Sequence, residues 1–273
     1  IYGDSYAFGR LVSDDNTIAA FLSKELNTHV NNYGVGNFGI DQALLRLEGD
    51  INNLQENVIV MCVVPETIVR IRSIWKHYFE YGNILAFKPM YEIENGKLKI
   101  VPNKINSIDK LMNYKTYLKE IQNKDYFFEA KFKKDILKFP FLFFLFSNTK
   151  RNLFIIYYYL LGIISFKRYL WKRKAFEIII KENVRWTKKL YKDKYSCDLL
   201  RKIVERFSEL CLKHNKKPIL FIIPQYYDLK MDFINSYKTF LNSLNFRELK
   251  VLEASEIALG NKNEGYVDGP LGP

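Results

Sequence analysis

The sequence has little of what disulfide-linked, metal-bound or membrane-spanning proteins need. Three of its 273 residues are cysteines, Cys62, Cys197 and Cys211, and they show no regular spacing. Such a set favours neither a disulfide framework nor a zinc site and is typical of a reducing compartment. The two longest apolar runs, 139–146 and 153–166, fall short of the ~20 residues that cross a bilayer. We therefore expect a cytoplasmic protein, with a peripheral membrane contact as an option, that uses neither a metal nor another cofactor.

The first nine residues, by contrast, carry a pattern with chemical meaning. An apolar pair leads into Gly3, Asp4 and Ser5, and residues 16–26 then place apolar side chains at helical spacing. A strand, a tight turn with a hydroxyl and a helix, in this order, present a nucleophile at the carboxyl edge of a parallel sheet. Ser5 is therefore the predicted nucleophile, and Gly3 and Asp4 are predicted to support its turn.

A glycine-rich segment follows the second predicted strand. Residues 31–42 read Asn-Asn-Tyr-Gly-Val-Gly-Asn-Phe-Gly-Ile-Asp-Gln and open a helix. Together with the Gly-Asp-Ser turn, this segment resembles the SGNH/GDSL hydrolase family, in which that turn carries the nucleophile and this loop donates a backbone N–H to the oxyanion. The resemblance assigns the donor position to Asn37, with Gly36 as the alternative. Asparagine tolerates positive φ better than most residues, which suits such a loop.

Two further blocks resemble the family less closely. The apolar run at 57–64, which contains a predicted strand, is followed by Thr67, where the family has an asparagine that also points at the oxyanion. Asp268 matches the acid of the family's aspartate–histidine pair, but none of the three histidines follows it. We interpret the chain as cut at both ends and expect a histidine just past Pro273. The alternative is an inactive relative that has lost this histidine.

Gly34, Gly36 and Gly39 also fit the Gly-x-Gly-x-x-Gly pattern of dinucleotide-binding loops. The pattern follows the second predicted strand rather than the first, and the Ser5 turn already occupies the leading position. We therefore rank a dinucleotide site below the oxyanion loop.

Alternating strands and helices predict an α/β fold: a doubly wound, flavodoxin-like, mostly parallel five-stranded sheet with a large, mainly helical insertion. The predicted strands are 1–3, 29–32, 58–64, 218–223 and 249–252, and the predicted helices around them are 16–26, 41–50, 66–80 and 196–215. Residues 1–81 and 196–273 are expected to form an SGNH-hydrolase-like domain.

The insertion predicted at 82–195 is basic and rich in aromatic residues. It is expected to begin with a hairpin at 91–102, turning at Asn95-Gly96, and to continue with polar helices over 108–138. Residues 131–217 hold 23 Lys and Arg against 7 Asp and Glu, whereas the rest of the chain holds 19 against 23.

Two interpretations of this insertion are equally supported by the sequence. In one, residues 131–195 bind an anionic membrane surface or form a lid that admits an acylated substrate. In the other, the apolar runs pack as core helices and the lysines form a solvated face. No recognised motif accompanies the charge, so nucleic acid ranks last among the partners considered.

The resemblance to SGNH/GDSL hydrolases implies a serine ester hydrolase or acyltransferase whose substrate is an O-acyl group, for example an O-acetyl group, of a carbohydrate or lipid. In that mechanism Ser5 Oγ attacks the carbonyl after a histidine, oriented by Asp268, takes its proton. The N–H groups of Ser5 and Asn37, assisted by Thr67, hold the oxyanion. The alternative is a non-catalytic SGNH-like module whose basic insertion binds a membrane surface or a partner.

Overall fold

The computed structural model describes residues 1–80, 83–135, 146, 149–165, 168–231 and 233–260. Contacts within the chain divide it into two units. The sheet unit comprises residues 1–71, 89–101 and the chain from 186 onward. The helical unit comprises residues 72–88 and 102–185.

The sheet unit contains the predicted parallel sheet. The described strands of the chain are β1 (Tyr2–Gly3), β2 (Tyr33–Gly34), β3 (Val58–Val63), β4 (Met90–Glu94), β5 (Lys97–Val101), β6 (Lys217–Ile222) and β7 (Lys250–Glu253). Five of them lie side by side in the order β2-β1-β3-β6-β7, and every neighbouring pair is parallel. This is the strand order of a flavodoxin-like sheet, and the predicted fold class is confirmed.

Helices connect these strands and cover the sheet. The described helices are α1 (Ser5–Phe8), α2 (Ile18–Glu25), α3 (Ile40–Asp50), α4 (Thr67–Arg70), α5 (Ile108–Met112), α6 (Leu118–Lys124), α7 (Lys133–Asp135), α8 (Thr149–Ile164), α9 (Arg168–Leu190), α10 (Lys194–Lys213), α11 (Tyr226–Lys230), α12 (Ile234–Asn242) and α13 (Ser255–Gly260). The apolar side of α10, with Ile203 and Phe207 fully buried, faces the core. The Asp193 side chain caps α10 by accepting the Ser196 N–H at 2.9 Å.

The second strand begins later than predicted. Residues 29–32 were expected to form it, but β2 pairs only Tyr33 and Gly34 with β1. β1, the strand beside β2, begins at Tyr2, which pairs with Tyr33, and the Tyr33 N–H donates to the Ile1 carbonyl at 2.7 Å. The Asn32 carboxamide accepts the Gly34 N–H at 2.9 Å, an N–H that is not used for pairing with β1.

The helix predicted at 66–80 is also wrong, because α4 ends at Arg70. The chain beyond it is held by a single buried carboxylate in the helical unit. Asp125 Oδ2 accepts the N–H groups of Ile74 at 2.6 Å and Trp75 at 3.0 Å and the Ser73 hydroxyl at 2.8 Å. Side-chain acceptors of this kind replace the helical partners of the backbone, and the chain continues as a short 3₁₀ turn at Lys76–Tyr78.

The predicted hairpin is confirmed. β4 and β5 pair in antiparallel register around Asn95 and Gly96, whose φ values are 50° and 74°. Both residue types tolerate these left-handed angles, which two-residue hairpin turns require. The hairpin belongs to the sheet unit. The helical unit therefore consists of two segments, 72–88 and 102–185, whereas the predicted insertion ran unbroken over 82–195. Tyr91 Oη donates to Glu48 of α3 at 3.0 Å and fixes the hairpin there.

The helical unit holds the short polar segments predicted over 108–138, namely α5, α6, a π-helical turn at Phe128–Phe132 and α7. Helix α8 lies close to α9, because a Cβ on Gly162 would come within 2.7 Å of the Trp171 ring. Apart from Phe146, the apolar run at 139–146 lies outside the described residues. No helix in the described ranges combines the length and the apolar content needed to span a bilayer.

Candidate functional site

Three connections converge at the carboxyl edge of the sheet, where β1, β2 and β3 end. β1 leads directly into Asp4 and Ser5, and the register pairs Gly3 with both Gly34 and Cys62. A Cβ on Gly3 would lie 1.8 Å from the Cys62 carbonyl oxygen, so only glycine allows this close approach. The sequence therefore places Ser5 at this edge, as the first residue of α1 and half-buried.

Asp4 is fully buried and organises the serine turn. Its Oδ1 accepts the Tyr6 N–H at 2.9 Å and caps α1, while its Oδ2 accepts the Val64 N–H at 3.0 Å. Burial raises the pKa of the Asp4 carboxyl, and the guanidinium of Arg70 and these backbone N–H groups oppose that rise. Within the described residues, these acceptor contacts of Asp4 join parts of the scaffold, as support of the serine turn would require.

The glycine-rich loop lies beside the serine turn. Val35 donates its N–H to the Gly3 carbonyl at 3.0 Å, and a Cβ on Gly34 would come within 2.3 Å of the Phe8 nitrogen. Asn37 has a φ of 69°, the left-handed conformation that asparagine tolerates. Gly36 has open space where a Cβ would stand, so no close contact requires glycine there.

Thr67 connects this loop to the end of β3. Its side chain is buried, and its Oγ1 accepts the Ile40 N–H at 2.8 Å, at the start of α3. The hydroxyl oxygen thus fixes the far end of the loop that carries Asn37. The contact shows a positioning role for Thr67, and its assistance to an oxyanion stays a prediction.

Arg70 was given no role by the sequence analysis, yet it joins the same three connections. Its Nη1 donates to the Phe38 carbonyl at 2.8 Å and lies 3.5 Å from Asp4 Oδ2. Its Nε lies 3.7 Å from Glu66 Oε1. An arginine between buried apolar residues after β3 was the available signal, because a buried cation needs a carboxylate partner.

A second buried carboxyl follows β6 at this edge of the sheet. Asp228 is 1% exposed, and its Oδ2 accepts the Gln225 N–H at 2.8 Å. Its Oδ1 makes no hydrogen bond within the described part of the chain. Burial raises the pKa of Asp228 to about 8. Nothing in the sequence pattern singles out this residue.

The described structure brings no histidine of the sheet unit to Ser5. His29 precedes β2 and His214 precedes β6, so both lie toward the amino edge of the sheet, opposite the serine turn. His77 belongs to the helical unit. Asp268, the predicted acid, lies outside the described residues.

Cys62, in β3, has the environment of a packing residue rather than of a reactive thiol. Cys62 packs against Ile1, Ala7 and Ala19 in the core, and burial raises the pKa of its thiol well above the usual value. A protonated, buried thiol is a packing group rather than a nucleophile. Among the described residues, no three His, Cys, Asp or Glu side chains come together as a metal ion would need.

Comparisons with known proteins add no further assignment. A scan against protein-family models found no match, and searches of curated proteins and of solved structures found none either. What bears on function is therefore the arrangement of Ser5, the Asn37 loop and Thr67 at one edge of a flavodoxin-like sheet.

Proposed function

We propose that the protein is an SGNH-like serine ester hydrolase, or acyltransferase, acting on O-acyl groups. One observation supports this above the others. Ser5 and the loop carrying Asn37 follow neighbouring strands, and the loop is hydrogen-bonded to Gly3, the last residue of β1 before the serine turn. The Val35 N–H to the Gly3 carbonyl fixes their relative position. Thr67, at the end of the third neighbouring strand, is hydrogen-bonded to the same loop.

In the proposed reaction, Ser5 Oγ adds to the ester carbonyl and a base takes its proton. The carbonyl oxygen becomes an oxyanion, which the backbone N–H groups of Ser5 and Asn37 stabilise. Collapse expels the alcohol, protonated by the same base, and leaves an acyl group on Ser5. Water, or an acceptor hydroxyl in a transferase, then attacks that acyl group and releases the enzyme.

The base is the part of the mechanism that the described residues do not supply. The resemblance to SGNH hydrolases implies a histidine oriented by Asp268, and this sequence has no histidine after Asp268. Exogenous imidazole can take the place of a missing general base, provided that the rest of the site is intact. Activity that depends on added imidazole is therefore the expected behaviour of this chain.

The experiment measures p-nitrophenyl acetate turnover by the 273-residue chain with increasing imidazole. At each concentration the hydrolysis caused by imidazole alone, without protein, is subtracted. We expect imidazole-dependent turnover in the wild type and none above background in Ser5→Ala. Ser13→Ala is the matched control, because Ser13 is an exposed serine whose hydroxyl accepts a hydrogen bond from the Asn16 side chain. Equal turnover in Ser5→Ala and wild type would refute the assignment of the nucleophile.

The resemblance, rather than any contact, suggests the substrate class, which is an O-acylated carbohydrate or lipid. A panel of O-acetylated sugars and short acyl glycerides, assayed with imidazole, separates these two classes. The protein is proposed to act in the cytoplasm, where its free cysteines would stay reduced.

A second candidate function is attachment to an anionic membrane through the helical unit. Its favouring observation is α8, on which nine large apolar side chains are between 41% and 73% exposed: Leu153, Phe154, Ile156, Tyr157, Tyr159, Leu160, Leu161, Ile163 and Ile164. Apolar surface of this extent is uncommon on a solvated helix and marks interaction sites. The basic stretch 167–174 follows α8 and supplies cations suited to anionic headgroups.

A further inference from the structure

The helical unit contains a cavity of about 300 Å³ that is separate from the serine site. Its walls are apolar and are formed by Phe79, Ile155, Ile156 and Ile179. Ligand sites in proteins are concave and mainly apolar, with a few polar groups that orient the ligand. The polar groups of this cavity are gathered around Arg151.

These polar groups form a cluster of two cations and two anions, of which Lys131 and Asp135 are buried and Arg151 and Glu182 are partly exposed. Arg151 Nη1 lies 2.8 Å from Asp135 Oδ2 and 3.2 Å from Glu182 Oε1. Lys131 Nζ lies 3.5 Å from Asp135 Oδ2 and 3.9 Å from Glu182 Oε1. The formal charges of the four groups cancel, so a ligand with its own full charge would add an uncompensated charge to a buried site.

One strong donor of this cluster stays available to a ligand. Arg151 uses Nη1 for the two carboxylates and Nε for the Asn152 carboxamide at 3.4 Å. Its Nη2 makes no hydrogen bond within the residues that the structure describes. A guanidinium nitrogen in a mainly apolar cavity suits a neutral carbonyl oxygen, which accepts a hydrogen bond without bringing a charge.

The size of the cavity sets the length of an apolar ligand. A methylene group is similar in size to a water molecule, which takes about 30 Å³ of liquid, so the cavity holds about ten such groups. We propose that the helical unit binds one neutral medium-chain acyl ester, with its chain among Ile155, Ile156 and Ile179 and its carbonyl oxygen on Arg151 Nη2.

The first experiment uses the full chain and the fluorescent probe N-phenyl-1-naphthylamine, which is apolar and lacks a carbonyl group. Methyl esters of six to fourteen carbons are titrated to displace it, each below its aggregation limit. The dissociation constant should fall about four-fold for each added methylene and level off near ten carbons, because longer chains no longer fit. A steady fall through fourteen carbons would mean partition onto the exposed apolar surface and would overturn the proposal, as would absence of displacement.

Variants of one helix then separate the cavity from that surface. Ile156 and Ile163 both lie on α8 with similar exposure, 41% and 43%, but only Ile156 lines the cavity. Ile156→Trp should fill the cavity and weaken methyl decanoate binding about ten-fold or more, while Ile163→Trp should leave it within about two-fold. Equal effects of the two substitutions would place the ligand elsewhere. Ile179→Phe serves the same purpose if Ile156→Trp does not fold.

The carbonyl contact has its own test. Arg151→Lys keeps a cation beside Asp135 and Glu182 but removes the Nη2 donor. Methyl decanoate should bind this variant about ten-fold more weakly, whereas the probe should bind as to wild type. Decanoate, which carries a charge, should bind wild type more weakly than its methyl ester does. Tighter binding of decanoate, or unchanged ester binding in Arg151→Lys, would contradict the neutral carbonyl ligand.

Discussion

At the scale of single residues, the candidate site depends on a few buried polar side chains rather than on Ser5 alone. Asp4 and Arg70 form an ion pair whose side chains are 0% and 10% exposed. Burying two charges is costly, and the cost is recovered only when their remaining hydrogen bonds are satisfied. Here the backbone N–H groups of Tyr6 and Val64 complete Asp4, and the Phe38 carbonyl helps complete Arg70.

We predict that Arg70→Met lowers the free energy of unfolding by about 3–5 kcal/mol, because it leaves the Asp4 carboxylate buried without its cation. Arg46→Met is the matched control. Arg46 pairs with Asp50 at 3.7 Å, but both side chains are 39% exposed, so its loss should cost less than about 1 kcal/mol. Urea unfolding of the two variants measures this difference.

The same pair can be tested for a role in positioning Ser5. Arg70→Lys keeps a cation beside Asp4 but loses the planar guanidinium that joins Asp4 to the Phe38 carbonyl, so this variant should be more stable than Arg70→Met. If it refolds yet loses its imidazole-dependent reaction, Arg70 positions the serine turn as well as stabilising it. Equal destabilisation by Arg70→Met and Arg46→Met would contradict the importance of the buried pair.

The buried carboxyl of Asp228 should make the free energy of unfolding depend on pH. Its pKa is about 8 in the folded chain against 3.8 as the ordinary value, so the folded state binds more protons over that interval. The free energy of unfolding should therefore fall as the pH rises from about 4 to about 8. Asp228→Asn keeps an acceptor for the Gln225 N–H, removes the charge, and should stabilise the protein at pH 8 by on the order of 1–3 kcal/mol.

Thermal unfolding of wild type and Asp228→Asn between pH 5 and pH 8 is the measurement. The difference in melting temperature between them should widen toward pH 8. Glu205→Gln is the control, since Glu205 pairs with Lys202 at 3.7 Å at the surface and its exchange should be nearly neutral. A gap between Asp228→Asn and wild type that stays constant across this range would show that Asp228 does not titrate as described.

At the scale of elements, close backbone approach decides where the serine turn and the oxyanion loop lie. Gly34→Ala should destabilise the protein by about 2–4 kcal/mol, because its Cβ would stand 2.3 Å from the backbone nitrogen of Phe8. Gly36→Ala has room for its Cβ and should change stability little. Chemical denaturation compares them, and a Gly36→Ala variant as unstable as Gly34→Ala would mean that the loop is packed differently.

The elements also show what the sequence could and could not predict. β3 and β6 were found because a run apolar on both faces suits only a strand covered on both sides. The hairpin was found because Asn95-Gly96 supplies the two left-handed angles of its turn. The helix expected at 66–80 was wrong because the backbone N–H groups of Ile74 and Trp75 donate to the Asp125 carboxylate, which is about fifty residues away in sequence.

The same reasoning applies to the candidate site. The prediction for Ser5 came from a local pattern, a tight turn after a strand, whereas the resemblance to SGNH hydrolases assigned the donor position to Asn37. The contacts of Arg70 with Phe38, and of Thr67 with Ile40, join segments about thirty residues apart. No local period or turn signal encodes such a contact, so only the folded arrangement shows it.

At the scale of the whole molecule, charge and exposed apolar surface coincide in the helical unit. The sequence has a net charge of +12: residues 131–217 have a net charge of +16, and the rest of the chain has a net charge of −4. α8 exposes its apolar side chains within this stretch. Basic residues next to an apolar helix face bind anionic bilayers by burial and electrostatic attraction together, and salt weakens only the second.

We therefore predict that the chain co-sediments with vesicles containing phosphatidylserine and less with vesicles of phosphatidylcholine alone. Leu161→Glu combined with Ile164→Glu should reduce the bound fraction by about ten-fold, because each charge would have to enter the apolar boundary of the bilayer. Ile108→Glu combined with Met112→Glu is the matched control, since these side chains are also highly exposed but lie on α5. Raising the salt concentration should release wild type from the anionic vesicles. Equal binding by the two double variants, or binding indifferent to salt and lipid charge, would show that α8 and the basic stretch do not form a membrane-binding surface.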